Sequence, residues 1–147
     1  MKISKLFMAS DHAGYELKLF LKDYLQKKGF DITDCGTDSA DSCDYADYAH
    51  PLAVAIENTP DALGITICGS GNGICMTANK HQKIRAGLCW NAEIARLARA
   101  HNNANVLSVP ARFVSTQEAI DIVDTFLTTE FDGGRHQRRI EKIPVNS

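Results

Sequence analysis

A chain of 147 residues is the size of one ordinary domain, with enough core to fold without disulfide staples. Its 16 basic and 18 acidic residues leave a net charge of -2, which excludes a global field for holding nucleic acid or an anionic membrane, so any anion site must be local. The cysteines, Cys35, Cys43, Cys68, Cys75 and Cys89, are odd in number and lack C-x-x-C or His/Cys metal spacing, so they read as reduced thiols in a cytoplasmic protein.

The stretch MKISKLFMAS runs from a short apolar strand, Ile3 to Ala9, straight into DHAG, and no later apolar run approaches the length of a membrane span. A soluble protein that is not exported is expected. From Gly14 to Lys28 the period is helical, with Leu17, Phe20, Leu21 and Leu25 sharing a face while Lys18, Lys22 and Lys28 point outward. Gly29 should end that helix. A strand follows from Phe30 to Asp34. The acidic, aperiodic stretch Thr37 to Asp47 should be the mobile loop. Next come a helix over Tyr48 to Asn58, a strand over Ala62 to Cys68 and a helix over Ile74 to Lys80. The beat continues with strand Ile84 to Cys89, helix Ala92 to Ala100, strand Asn105 to Val109 and helix Thr116 to Thr128. After Gly133 and Gly134 a basic tail starts at Arg135 and should be helical. Five strands alternating with helices predict a single α/β domain over residues 1–147 with a five-stranded parallel sheet.

Ligands of an open parallel sheet collect at the carboxyl ends of its strands. The first strand is followed by Ser10, Asp11 and His12, and the third runs into Cys68-Gly69-Ser70-Gly71-Asn72-Gly73. There the glycines let backbone N–H groups face a ligand, and the next helix adds its positive end, an arrangement suited to an anion or an oxyanion. The loop is not a dinucleotide fingerprint, because Ile74 stands where the third glycine belongs, and it does not fit G-x-x-x-x-G-K-[ST]. Its bland alternative is a tight strand-to-helix turn that needs glycine. Cys75 and Cys89 read as small buried hydrophobes. Cys68 differs, since exposed amides and a helix N-terminus favour its thiolate as base or nucleophile.

The segments SDHAGYELK, ICGSGNGICMTANK, IRAGLCW, ARAHNNANVL and FDGGRHQRRI, in this order and spacing, resemble the ribose-5-phosphate isomerase B family, whose relatives include galactose-6-phosphate isomerase subunits. The resemblance covers nearly the whole chain. It implies a Rossmann-like three-layer sandwich, a homodimer or a tetramer built on it, and interconversion of ribose 5-phosphate and ribulose 5-phosphate without a metal or cofactor. By the same resemblance Cys68 is the base that moves a proton between C1 and C2 and Ser70 assists it. The amides from Gly69 through Gly71 and Asn72 to Gly73 stabilise the enediolate oxygen, as an oxyanion hole does. His101 opens the furanose ring, Asn102 contacts substrate, Asp11 and His12 contact sugar hydroxyls and the ring oxygen, and Tyr45 covers the sugar from the side. Arg135 and Arg139, four apart, grip the phosphate, with Arg112 as a secondary candidate.

Plainer readings stand beside these roles: His101 as a helix C-terminal histidine, Asp11 as an N-cap, Tyr45 as a surface aromatic, the arginines as a solvated tail. His50, His81 and His136 receive no chemistry. A hexose 6-phosphate, allose or galactose 6-phosphate, is the rival substrate, and a phosphate-ligand binding module without turnover is the rival class. Cys68 follows its strand whereas His101 precedes the strand Asn105 to Val109. The two should therefore lie at opposite sheet edges, about 16 Å apart at 3.3 Å per residue, and meet only across a two-fold dimer with shared active sites.

Overall fold

The computed structural model of the chain describes residues 5–145; Ile3, the expected start of the first strand, lies outside them. Strands β1 (Lys5–Ser10), β2 (Asp31–Asp34), β3 (Leu63–Cys68), β4 (Ala86–Leu88) and β5 (Val106–Pro110) form one sheet in the order β2-β1-β3-β5-β4. Every pairing is parallel. The helices are α1 (Tyr15–Lys27), α2 (Ala46–Glu57), α3 (Asn72–Ala78), α4 (Ala92–Asn102), α5 (Thr116–Thr128) and α6 (Arg135–Ile140). None is long and apolar enough to cross a membrane among the described residues.

Alternation along the strands builds two cores. On β1, Leu6 and Met8 join Leu21 and Leu25 of α1 and Ile122 and Phe126 of α5, with Ala95 of α4 in the same cluster. Phe7 and Ala9 point the other way and pack with Leu52, Ala53 and Ile56 of α2 and Ala78 of α3. Both faces of the sheet are thus covered, so β3 is buried at every position, as a central parallel strand should be. The architecture is the expected three-layer α/β sandwich with five parallel strands.

Helix α5 has the boundaries its period predicts, fixed by a capping box in which Ser115 and Glu118 satisfy each other's backbone amides. Gly29 follows α1 with φ +99°, as its place past the helix end requires.

The face of α1 departs from expectation. Phe20 is 43% exposed, whereas Lys18 is fully buried. At about 100° per residue Phe20 projects a quarter turn away from Leu21, while Lys18 is only about 60° from it, on the core side. The buried ammonium is neutralised by Asp34 at 2.6 Å and also donates to the Thr37 carbonyl at 2.6 Å.

The acidic loop is tied down at several points. Thr37 is buried, its amide donates to Ser10 O at 2.9 Å, and Gly36 O accepts from the Ser10 amide at 2.8 Å. Farther on, the Cys43 amide donates to Nδ1 of His12 at 3.2 Å.

Candidate active site

At the carboxyl edge, β1 delivers Asp11 and His12. The Asp11 amide donates to Ile67 O at 3.3 Å, which sets this turn beside the end of β3. Its Oδ1 accepts from the Gly14 amide at 3.1 Å, so the N-cap reading holds while the residue also borders the cleft described below. Because Nδ1 of His12 accepts from Cys43, its neutral ring carries the proton on Nε2 and can donate there.

Strand β3 ends at Cys68, which is 4% exposed and packs with Ala49 and Ile74. Gly71, at φ +78°, turns the chain into α3 in a left-handed conformation that other residues rarely adopt. Ser70 Oγ, exposed, accepts from the amide and the side-chain Nδ2 of Asn72, both at 3.3 Å. Gly73 instead makes room for a side chain: a methyl group there would lie 2.3 Å from Cζ of Tyr45, whose ring rests on this turn.

The loop after β5 is fastened to the same edge. Ala111 donates its amide to Cys68 O at 2.9 Å, and Arg112 donates its amide to Gly69 O at 3.0 Å. The Arg112 guanidinium consequently lies against Gly69, where an added Cβ would be 3.0 Å from Nη1. Asp11, His12, Tyr45, Cys68, Gly69, Ser70, Gly73 and Arg112 together line a cleft of about 550 Å³. Gly71 and Asn72 do not line it; they shape the turn and hold Ser70.

The sequence did not single out Ala13 and Phe113, which also border the cleft. Phe113 is 72% exposed and belongs to no period, so its only signal is that it follows the end of a parallel strand. Arg112, expected as a secondary candidate, is the one arginine on this cleft among the described residues.

Three of the other thiols behave as structural groups. Burial, with a smaller push from Cys75, raises the Cys89 thiol to about 12. Burial raises Cys75 against the Ser108 hydroxyl, and burial raises Cys35 with help from the Asp34 carboxylate. All five cysteines are free.

His101, Asn102, Arg135 and Arg139 are not in this cleft. Helix α4 ends at Asn102, and three residues later Asn105 O accepts from the Gly64 amide at 2.8 Å, at the end of β3 opposite Cys68. There the His101 ring stacks on His136 with centroids 4.3 Å apart and planes at 13°, and His101 Nε2 is 4.0 Å from Asp132 Oδ2. His136, given no chemistry by the sequence, is therefore the immediate neighbour of His101. Partial burial first, then His101, Arg135 and Arg139, hold its imidazole below the ordinary histidine value. Arg135 and Arg139 stand one turn apart and exposed on α6.

A larger cleft, about 630 Å³, lies on the same side as Asn103 and Asn105 and contains neither a thiol nor an imidazole. Its two arginines are spent on carbonyls at the end of α4, Arg85 on those of Asn102 and Asn103 and Arg99 on that of Ala104. Chemistry therefore favours the smaller cleft.

Comparison with known proteins identifies the family. Residues 6–143 match the sequence profile described as Ribose/Galactose Isomerase. A ribose-5-phosphate isomerase B from Mycolicibacterium paratuberculosis is 42% identical over 139 residues, covering 93% of this chain and 87% of the relative. The crystal structure of a ribose 5-phosphate isomerase from Thermotoga maritima superposes with a TM-score of 0.94 at 50% identity, covering 96% of this chain and 97% of that one. The Mycoplasma genitalium ribose-5-phosphate isomerase B, solved with bound ribulose-5-phosphate, has a TM-score of 0.92 at 46% identity, covering 97% of this chain and 95% of that one. A match that spans both the thiol loop and the α6 arginines places this chain in the Ribose/Galactose Isomerase family.

Proposed function

We propose that the protein interconverts ribose 5-phosphate and ribulose 5-phosphate. The observation that carries this reading is the placement of Cys68, Ser70 and Arg112 on one cleft, in a chain 46% identical to a protein solved with ribulose-5-phosphate. In the open-chain aldose, the Cys68 thiolate removes the proton from C2, the electron pair forms the C1–C2 double bond, and O1 takes the negative charge. Loop amides and the Ser70 hydroxyl are the donors available to that oxygen. A proton passes from O2 to O1, and the thiol returns its proton to C1, leaving the ketone at C2. His12, donating through Nε2, and Asp11 hold sugar hydroxyls.

Ring opening and phosphate binding fall to His101, Asn102, Arg135 and Arg139 of a second copy. Within one chain these groups stand at the other sheet edge, about 13 Å away along the four-residue rise from Gly64 to Cys68. A two-fold dimer closes this geometry, each cleft receiving the α4 end and α6 of the partner subunit.

The test is a coupled assay comparing ribose 5-phosphate with allose 6-phosphate and galactose 6-phosphate. The pentose phosphate should have the highest kcat/KM. Preference for either hexose phosphate would overturn the substrate, and binding of all three without turnover would make the protein a binding module.

A further inference from the structure

His50, on α2, and His81, just past the end of α3, are 31 residues apart, yet Nδ1 of His50 lies 2.7 Å from Nε2 of His81. Their rings are 5.0 Å apart and tilted by 60°. On the far side of His81, Nδ1 faces Oε1 of Glu57 at 3.5 Å, and Oε2 of Glu57 accepts from the Lys83 amide at 3.0 Å. The carboxylate is thereby fixed on the Nδ1 side of His81, which favours the tautomer with its proton on Nδ1 and a lone pair at Nε2. The hydrogen between the two rings then belongs to His50. This is the carboxylate–histidine arrangement that orients metal-binding imidazoles.

We propose that the pair binds a nitrogen-seeking divalent transition metal, Cu(II) or Ni(II), through Nδ1 of His50 and Nε2 of His81, with Glu57 behind His81. Imidazole nitrogens suit these ions, and copper leads the divalent affinity order. The 2.7 Å separation is that of a hydrogen bond, and each ring has to swing until its lone pair points beside the line joining the nitrogens. His50 gives up its Nδ1 proton and takes one on Nε2, so a neutral pair accepts the ion with no net change in protonation. Water completes the coordination.

The other imidazole pair is less suited. His101 and His136, with Asp132, bring one ligand atom each within 4.8 Å of the others, but the two rings are stacked with planes only 13° apart and must part to turn their lone pairs toward one ion, and Arg135 and Arg139 add positive charge beside them.

An ion at His50 and His81 joins α2 to the segment that follows α3. Tyr45 caps the start of α2 and Gly73 lies in the first turn of α3, so the ion clamps the frame of the cleft without entering it. The experiment is calorimetric titration of the full chain with Ni(II), alongside thermal melts. One equivalent should bind to the native protein and raise its melting temperature. His50→Gln and His81→Gln should each abolish that equivalent, Glu57→Gln, which keeps an acceptor for the Lys83 amide, should weaken it about tenfold, and His136→Gln should leave it intact. Should His81→Gln fail to fold, the exposed His50→Gln still decides. Unchanged Ni(II) affinity in His50→Gln, loss of the equivalent in His136→Gln, or no binding at all would overturn the site.

Discussion

Nζ of Lys18 lies 2.6 Å from Oδ1 of Asp34 with no solvent exposure of the lysine side chain, so one buried ammonium joins α1 to the end of β2. Lys18→Met removes the shortest contact of a carboxylate that keeps Lys22 at 3.3 Å and the Gly36 amide at 2.9 Å, so it should cost about 1.5–3 kcal/mol of unfolding free energy, the range for a hydrogen bond to a charged group, measurable by urea denaturation. A loss below about 1 kcal/mol would mean that Asp34 finds water instead, as an exposed pair would allow.

Acid should act through the same contact. Burial by itself would raise the Asp34 carboxyl, but the Lys18 hydrogen bond, the Gly36 amide and Lys22 outweigh it and hold the group below the usual carboxylate value. A depressed folded value means that the stabilisation is complete above the unfolded value, about 3.9, and is lost as pH falls through the lower folded value. Asp34→Asn should flatten the acid limb of the stability profile. An unchanged slope below pH 4 would remove Asp34 from the account.

Gly73→Ala separates packing from function. Its methyl group would meet the Tyr45 ring at 2.3 Å, but that ring is 41% exposed and can swing outward, while alanine suits a helix better than glycine by about 1 kcal/mol. Stability should therefore change by no more than about 1 kcal/mol, while KM rises as it does in Tyr45→Ala. The double variant should be no worse than Tyr45→Ala alone. Additive losses would show that Gly73 acts independently of the tyrosine.

Cys68→Ala should lower kcat by about 10²–10⁴-fold with little change in phosphate-sugar affinity, since the base is lost and the binding groups remain. Turnover within tenfold of the native enzyme would assign the proton transfer elsewhere.

Mixing Cys68→Ala chains with His101→Ala chains tests the shared site. In the proposed dimer, random exchange yields half heterodimers, each with one intact cleft of two, so activity should recover to about a quarter of the native value. No recovery despite exchange, shown by mass spectrometry, would put both residues in one subunit.

Sequence alone was enough for the alternation of five strands with helices, the boundaries of α5 and the glycine stop after α1, because period, caps and turn residues act over a few positions. It was also enough to bring Asp11 and Cys68 to one sheet edge and to separate His101 from them, since a parallel sheet sends every strand end the same way. Tertiary structure decided what depends on residues far apart in the chain. Lys18 is buried because Asp34 and Thr37 arrive from β2 and its loop. Arg112 reaches the cleft because Ala111 and Arg112 dock on Cys68 and Gly69. His136 lies on His101, and His81 on His50, only once distant segments have packed together. Local patterning specifies backbone conformation and which face is apolar, but contacts between polar groups of remote segments are selected by the packed core that carries them.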